Sequence, residues 1–283
     1  MSLSDGFHKM LSGHEEDAAV QEDAAEIVFT APECAERDGL LSLIYHEGIG
    51  VAVNLDKAFE YAKKAAFQGG DGLGYFMLGY MCDNAETPDQ AEGGPRHEYD
   101  HYDAERFYEI CSKIESRWKD HATLWLGDYY MDMAKGGDPG IAVEYYERIA
   151  VHNTEAAGRL SDYYWNLIMP EYLEDEEWTS QLFKWTSVAV LLNPKEYSYR
   201  MGWIYADGIG CEKQPYKAIK EFEKAYVYGD WRGAKSIAKI FGEFIDGNQD
   251  AHDIAECRLN MKLWNERGDI LSEKEINENT NTI

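Results

Sequence analysis

Residues 97–101, His97-Glu98-Tyr99-Asp100-His101, spell H-E-x-x-H, the spacing with which two histidines on one helix bind zinc. In such a site the two imidazoles hold the metal one helical turn apart, and the glutamate between them acts as general base. The motif suggests a metal-dependent hydrolase. A zinc site of this kind requires one helix to carry both histidines. The interpretation of the motif therefore depends on where the surrounding sequence predicts helices.

The composition narrows the classes of partner. The 283 residues carry 53 acidic and 27 basic side chains, a formal net charge of −26. Such a surface repels nucleic-acid phosphates and anionic lipid headgroups, so we expect neither nucleic acid nor membrane as a partner. The charge favours a basic protein or peptide, or alternatively only keeps the chain soluble and monomeric.

The five cysteines, Cys34, Cys82, Cys111, Cys211 and Cys257, are widely spaced and form no C-x-x-C pair. This pattern fits reduced thiols, and the first thirty residues show no signal-peptide pattern, so we expect a cytoplasmic protein. Glycine-rich stretches at 48–50, 69–74 and 208–210 resemble phosphate-binding loops. They fall between helices rather than after strands, so we interpret them as turns and expect no cofactor.

An internal repeat organises the chain. The stretch "LIYHEGIGVAVNLDKAFEYAKKAAFQGGD" (43–71) returns as "WIYADGIGCEKQPYKAIKEFEKAYVYGD" (203–230). Between and beyond these copies, an apolar residue followed by a small residue marks the first helix of each repeat. The small residue would let a second helix approach closely. The six small residues are Ser42, Gly79, Gly127, Ser161, Gly202 and Ala238.

The second helix of each repeat has its own markers. Good N-cap residues stand four positions before its first packing residue in four repeats, and one of them and one weaker cap precede a proline at the first helical position. The predicted caps are Asn54, Asp100, Asp138 and Asp253, with weaker Gln214 and Glu177 and with prolines Pro139 and Pro215. In repeat 4, Gln181 takes the packing position ahead of Trp185 and Val188. Glycines at 69, 229 and 268 are predicted to end three of the second helices in the left-handed conformation.

These markers predict an all-α fold, a right-handed α/α superhelix of about six helix–loop–helix repeats. Residues 1–34 would form a lead-in and capping helix, and residues 35–269 the solenoid. Residues 270–283 would form a polar C-terminal tail, frayed or disordered.

The first repeat, "LLSLIYHEGIGVAVNLDKAFEYAKKAAFQGG", resembles the Sel-one-like repeat (SLR), a relative of the tetratricopeptide repeat. That family's pattern is A-x-x-L-G-x-x-Y-x-x-G-x-G-V, a short loop, and K-A-x-x-W/Y-x-x-K-A-A-x-x-G. Repeats 1 and 5 match it well, and the others match less. The resemblance implies an α/α superhelix that serves as a non-enzymatic protein-interaction scaffold. The paired cysteines of secreted bacterial members do not occur here.

The repeat frame changes the interpretation of the H-E-x-x-H motif. If Asp100 caps the second helix of repeat 2, His97 and Glu98 precede that helix, in an insertion at 83–100 rich in Gly, Pro and Asp. We therefore expect an acidic loop, with no catalytic residue and no metal site. Two alternatives stay open: a metal-dependent hydrolase using His97, Glu98 and His101, and a structural subunit that associates with copies of itself.

The candidate binding surface is one side of the first helices, here called the first-helix face. It consists of positions that share a face at i, i+4 and i+7 and lie away from the packing skeleton. In the tetratricopeptide relatives the corresponding face lines a concave groove that holds a peptide. Aromatic residues beside aspartates there would bind a protein or peptide, with the acids selecting a basic one. The predicted contact residues are Phe76, Tyr80, Asp83, Asp128, Met131, Asp162, Trp165, Tyr199 and Trp203.

Overall fold

The computed structural model describes residues 2–13, 17–87, 101–168, 175–247 and 251–280. Throughout these residues the regular structure is helical, which confirms the predicted all-α class. None of the described helices is long and apolar enough to cross a membrane. The helices are α1 (Leu3–Leu11), α2 (Ala18–Thr30), α3 (Ala35–Glu47), α4 (Leu55–Lys63), α5 (Gly72–Asp83), α6 (His101–Cys111), α7 (Lys119–Met131), α8 (Pro139–Ile149), α9 (Thr154–Ile168), α10 (Glu176–Leu192), α11 (Pro194–Asp207), α12 (Pro215–Val227), α13 (Trp231–Gly247) and α14 (Ala251–Thr280).

Consecutive helices form the predicted pairs. Repeats 1 to 6 are α3–α4, α5–α6, α7–α8, α9–α10, α11–α12 and α13–α14. The chain divides into two compact units, an N-terminal unit of Met1–Tyr145 and a C-terminal unit of Tyr146–Ile283. Within each unit, a helix packs mainly on the helices next to it in the chain, as expected for a helical repeat protein.

The small residue of each repeat lies in the packed interior, as predicted. All six small residues are buried. A Cβ atom on Gly79 would lie 3.0 Å from the ring of Tyr108 on α6, and one on Gly202 would lie 2.5 Å from the ring of Phe222 on α12. The glycines therefore provide the space that an aromatic residue of the second helix fills.

The helix starts confirm several predicted caps. The Asn54 side chain accepts a hydrogen bond from the Lys57 N–H at 2.9 Å, and the Asp138 side chain accepts one from the Gly140 N–H at 2.8 Å. Pro139 and Pro215 are the first residues of α8 and α12. These interactions satisfy N–H groups that have no partner inside their own helix.

Other predicted boundaries were wrong. Asp175, not Glu177, caps α10, and Asp253 lies inside α14. Gln214 stands at the cap position of α12 but its side chain makes no capping bond. Gly70 rather than Gly69 is left-handed after α4, and Gly268 lies within α14.

The predicted boundary between the solenoid and a C-terminal tail also differs from the structure. α14 continues to Thr280, so the boundary after residue 269 falls inside a helix and residues 270–280 are helical rather than frayed. The packing register of repeat 4 also differs from the prediction, because Leu182, Trp185 and Ala189 are buried whereas Gln181 and Val188 are only half-buried. Asp100, His97 and Glu98 lie outside the described residues, and α6 begins at His101.

Candidate functional site

In the N-terminal unit, the predicted residues of α5 lie beside an aromatic cluster. Phe76 is half-buried, with its ring 4.9 Å from that of Trp118 and 5.5 Å from that of Tyr108. The Asp83 carboxylate accepts a hydrogen bond of 2.9 Å from the Trp125 indole N–H. Both side chains therefore have structural partners in this unit, which leaves them less available to a ligand than the sequence suggested.

Tyr80 is the most exposed predicted aromatic residue of the N-terminal unit, at 36%. Its ring stands edge-on to His46 at 5.2 Å, and burial together with the carboxylates of Glu86 and Glu47 raises the pKa of its hydroxyl. His46 is hydrogen-bonded to both of those carboxylates, at 2.7 Å each. On α7, Asp128 is exposed and Met131 is half-buried.

In the C-terminal unit, two predicted residues line one groove of about 880 Å³. Trp165, near the end of α9, and Trp203, on α11, come from neighbouring repeats and line the same space. The other walls are the first turns of α10 and the turn that follows α11. Those lining residues are Glu176, Thr179, Ser180, Asp207, Gly208, Ile209, Gly210 and Cys211.

The turn beside this groove requires glycine. Gly208 and Gly210 both have positive φ, at 73° and 65°. A Cβ atom on Gly210 would overlap the carbonyl oxygen of Thr179 on α10. Gly50 occupies the same position in repeat 1, where a Cβ atom would lie 2.7 Å from the Gln21 carbonyl oxygen. The prediction that these glycines form turns is confirmed, and in each case the turn packs against the helix before the repeat.

Basic side chains of the chain itself contact the predicted aromatic residues. The Arg200 guanidinium lies over the Trp165 ring at 5.2 Å and bonds Asp162 at 2.6 Å. The Lys239 ammonium lies over the Trp203 ring at 5.2 Å. Each cation covers part of a ring face, and Arg200 neutralises the aspartate that was expected to select a basic partner.

Tyr199 is not among the residues that line the groove. Its ring lies 5.5 Å from that of Phe222, and the Arg232 guanidinium lies over it at 4.5 Å. The structure therefore brings Trp165 and Trp203 together and places Asp162 beside Trp165 through Arg200. Tyr199 belongs to the packing around α12 instead.

The groove shows little sign of catalytic chemistry. Its one thiol is Cys211, and burial raises the pKa of that thiol, which keeps it protonated and weakly nucleophilic. Within the described ranges, no group of three or more His, Cys, Asp or Glu side chains is arranged to hold a metal ion. The side chains of His97, Glu98 and His101 are outside that description, so the hydrolase alternative is not tested by it.

Sequence reasoning missed two kinds of residue. Lys239 occupies in repeat 6 the position that Trp203 occupies in repeat 5, so extending the first-helix face by one repeat would have found it. The lining residues from α10 and the turn lie outside any first helix. Their only sequence signal was Gly-Ile-Gly at 208–210, which predicted a turn but not what the turn packs against.

Paired helices with small residues at each crossing define an all-α helical repeat protein. The family model for the Sel1 repeat matches residues 33–70, 121–150 and 196–226, within repeats 1, 3 and 5. The chain therefore contains Sel1 repeats, a repeat type that typically occurs in protein-interaction scaffolds. No curated protein matches the chain.

Two solved structures share the fold. A protective antigen from uropathogenic Escherichia coli strains, which displays an SLR fold, is 18% identical with a TM-score of 0.57. The match covers 97% of this chain, which spans 60% of the length of that antigen. A Sel1 repeat protein from Oxalobacter formigenes is 17% identical with a TM-score of 0.55, over 95% of this chain and 99% of that one. At this identity the likeness shows the fold alone.

Proposed function

We propose that the chain is a non-enzymatic interaction scaffold that holds a peptide segment of a partner protein in the groove between Trp165 and Trp203. One observation carries this proposal: two tryptophans from neighbouring repeats line one open groove of about 880 Å³. Half-buried indoles supply large contact area with little loss of conformational entropy, and they dominate binding energy at interfaces.

The groove differs in position from the predicted concave surface. It lies where first helices end and second helices begin, and α9 and α11 each contribute one of its tryptophans. The exposed Ser180 hydroxyl and the backbone of the turn at 208–210 offer hydrogen-bond partners to a peptide main chain. Reduced thiols at all five cysteines are consistent with the cytoplasmic location that we also propose.

A library of random peptides displayed on phage tests the proposal. Peptides selected on the wild-type chain should lose affinity at least about 30-fold for the double variant Trp165→Ala, Trp203→Ala, because central aromatic residues contribute about 2 kcal/mol or more. Tyr228→Ala, which removes a 47%-exposed ring that does not line the groove, should bind normally.

A second variant separates loss of the groove from loss of the fold. Ser180 is exposed on the groove wall, so Ser180→Trp should fill the groove without removing a packed side chain. Circular dichroism and thermal unfolding would show that each variant remains folded. Selected peptides that bind both groove variants as tightly as the wild type would refute the proposal.

A further inference from the structure

A second groove in the C-terminal unit repeats the chemistry of the first. It has a volume of about 570 Å³ and is lined by aromatic residues of α12 and α13 and by the first turns of α14. The rings of Tyr216 and Phe244 lie 5.5 Å apart, and Phe241 stands edge-on to Phe244 at 6.0 Å. Tyr216 is 73% exposed, which is unusual for an aromatic side chain with a structural role alone.

The two grooves lie on the same edge of the repeats. Helices joined by short connections run antiparallel, so the ends of the first helices and the starts of the second helices share an edge. The first groove uses the end of α9, the start of α10 and the turn after α11; the second uses the start of α12, the end of α13 and the start of α14. Cys211 lines the first and Tyr216 the second, and only residues 212–215 separate them along the chain.

Both grooves combine aromatic rings with carboxylates. The first is lined by Glu176 and Asp207, and the second by Glu243, Asp253 and Glu256. Of the described residues that line either groove, none is Lys or Arg. A ring face beside a carboxylate attracts a cation through both the quadrupole of the ring and its opposite charge.

The residues in and beside the stretch between the grooves include three lysines and one exposed acidic residue, Glu212. Lys213 and Lys217 flank Tyr216, and the Lys217 ammonium lies over the Tyr205 ring at 5.3 Å. Lys239, over Trp203 of the first groove, has its ammonium 3.9 Å from the Glu243 carboxylate of the second. A ligand that crosses from one groove to the other would therefore lie near these three lysines and one glutamate, a local excess of positive charge.

We infer that the C-terminal unit binds one extended peptide segment with two basic clusters, one in each groove, joined by a neutral or acidic stretch that passes the lysines. This inference rests on the proposed function, since the first groove is its site. Joining the two clusters makes the second contact intramolecular and raises the affinity above that of either cluster alone.

Synthetic peptides test the inference. One carries two Lys-Arg pairs joined by a Gly-Ser linker, and two others carry one pair each. The two-cluster peptide should bind at least about tenfold more tightly than either half-peptide, by isothermal titration calorimetry. An acidic residue in the linker should strengthen binding, because it meets the three lysines.

A matched pair of variants locates the second cluster. Tyr216→Ala with Glu256→Gln removes a ring and a charge from the second groove, and Tyr228→Ala with Glu223→Gln removes the same groups from exposed sites outside both grooves. The first variant should reduce the two-cluster peptide to the affinity of a half-peptide, a loss of about tenfold or more. The control should lose less than about threefold in affinity, because it only makes the net charge of the chain one unit less negative.

Two results would overturn the inference: equal losses for the two variants, or a two-cluster peptide that binds no better than its halves. The phage-selected peptides separate this failure from that of the proposed function. If binding of the phage-selected peptides requires Trp165 and Trp203 but is unchanged in the second-groove variant, the proposed function is supported and the two-groove inference is refuted.

Discussion

At the residue scale, the main difference from expectation is that the chain supplies its own cations to its exposed aromatic rings. Arg200, Arg232 and Lys239 lie over Trp165, Tyr199 and Trp203. The sequence identified the rings from their spacing on a helix face, but each cation comes from the first helix of the following repeat. A ligand at these rings must therefore use the ring surface that the cations leave open.

Arg200 gives the sharpest test at this scale. Its guanidinium bonds both Ser161 Oγ and Asp162, each at 2.6 Å, while lying over the Trp165 ring. Arg200→Lys keeps the charge but loses the planar group that makes these contacts together, so we expect the free energy of unfolding to fall by about 1–2 kcal/mol in urea denaturation.

The exposed pair of Arg232 and Asp230 provides the comparison. The Arg232 guanidinium also donates two hydrogen bonds to one carboxylate, at 2.7 Å and 2.9 Å. Its partner Asp230 is only two residues away in the sequence, and the Arg232 side chain is more exposed than that of Arg200. Arg232→Lys should cost less than about 1 kcal/mol. An equal loss for the two variants would mean that the contacts of Arg200 add nothing beyond those that Arg232 makes with Asp230 and the Tyr199 ring.

At the element scale, helix starts and helix ends were each predicted in part: Asn54 and Asp138 are caps and Gly229 is left-handed, as expected. A cap such as Asn54 acts through a hydrogen bond three residues away, so local sequence contains the whole signal. The end of α4 depends on a π-helical turn at Lys64–Gln68, which takes an extra residue and moves the left-handed position from Gly69 to Gly70. Gly268 serves packing instead, since a Cβ atom there would lie 3.1 Å from the Lys235 side chain.

The turn at 208–210 permits a prediction that separates backbone conformation from packing. Gly210→Ala should lower the free energy of unfolding by about 2–4 kcal/mol in urea, because alanine is strained at positive φ and its Cβ would overlap the Thr179 carbonyl. Gly229→Ala should cost only about 1 kcal/mol, since Gly229 also has positive φ but has open space around its Cβ position. Similar losses for both would show that the turn does not pack tightly on α10.

At the scale of the whole molecule, the repeat explains why the fold was predictable and the groove was not. Each repeat needs the same small residue and the same cap, so six weak local signals reinforced one another. Periodicity along a helix identifies which residues share a face, and it drew attention to Trp165 and Trp203, which are half-buried on their first helices. It contains no information on Thr179 or Ser180, which reach the groove only because α10 packs beside the turn after α11.

The net charge of −26 also belongs to this scale, and it predicts opposite effects of salt on folding and on binding. Raising NaCl from about 10 to about 150 mM shortens the screening length from about 30 to about 8 Å and weakens the self-repulsion of the folded chain. The melting temperature should therefore rise, by about 2–4 °C for a gain of roughly 1 kcal/mol.

The same increase in NaCl should weaken binding of the two-cluster peptide, because it screens attraction between the grooves and the basic pairs. Differential scanning calorimetry and titration calorimetry in matched NaCl and KCl buffers would separate charge screening from ion-specific effects. A melting temperature that falls as salt is added would show that ion pairs within the fold outweigh the excess of acidic side chains.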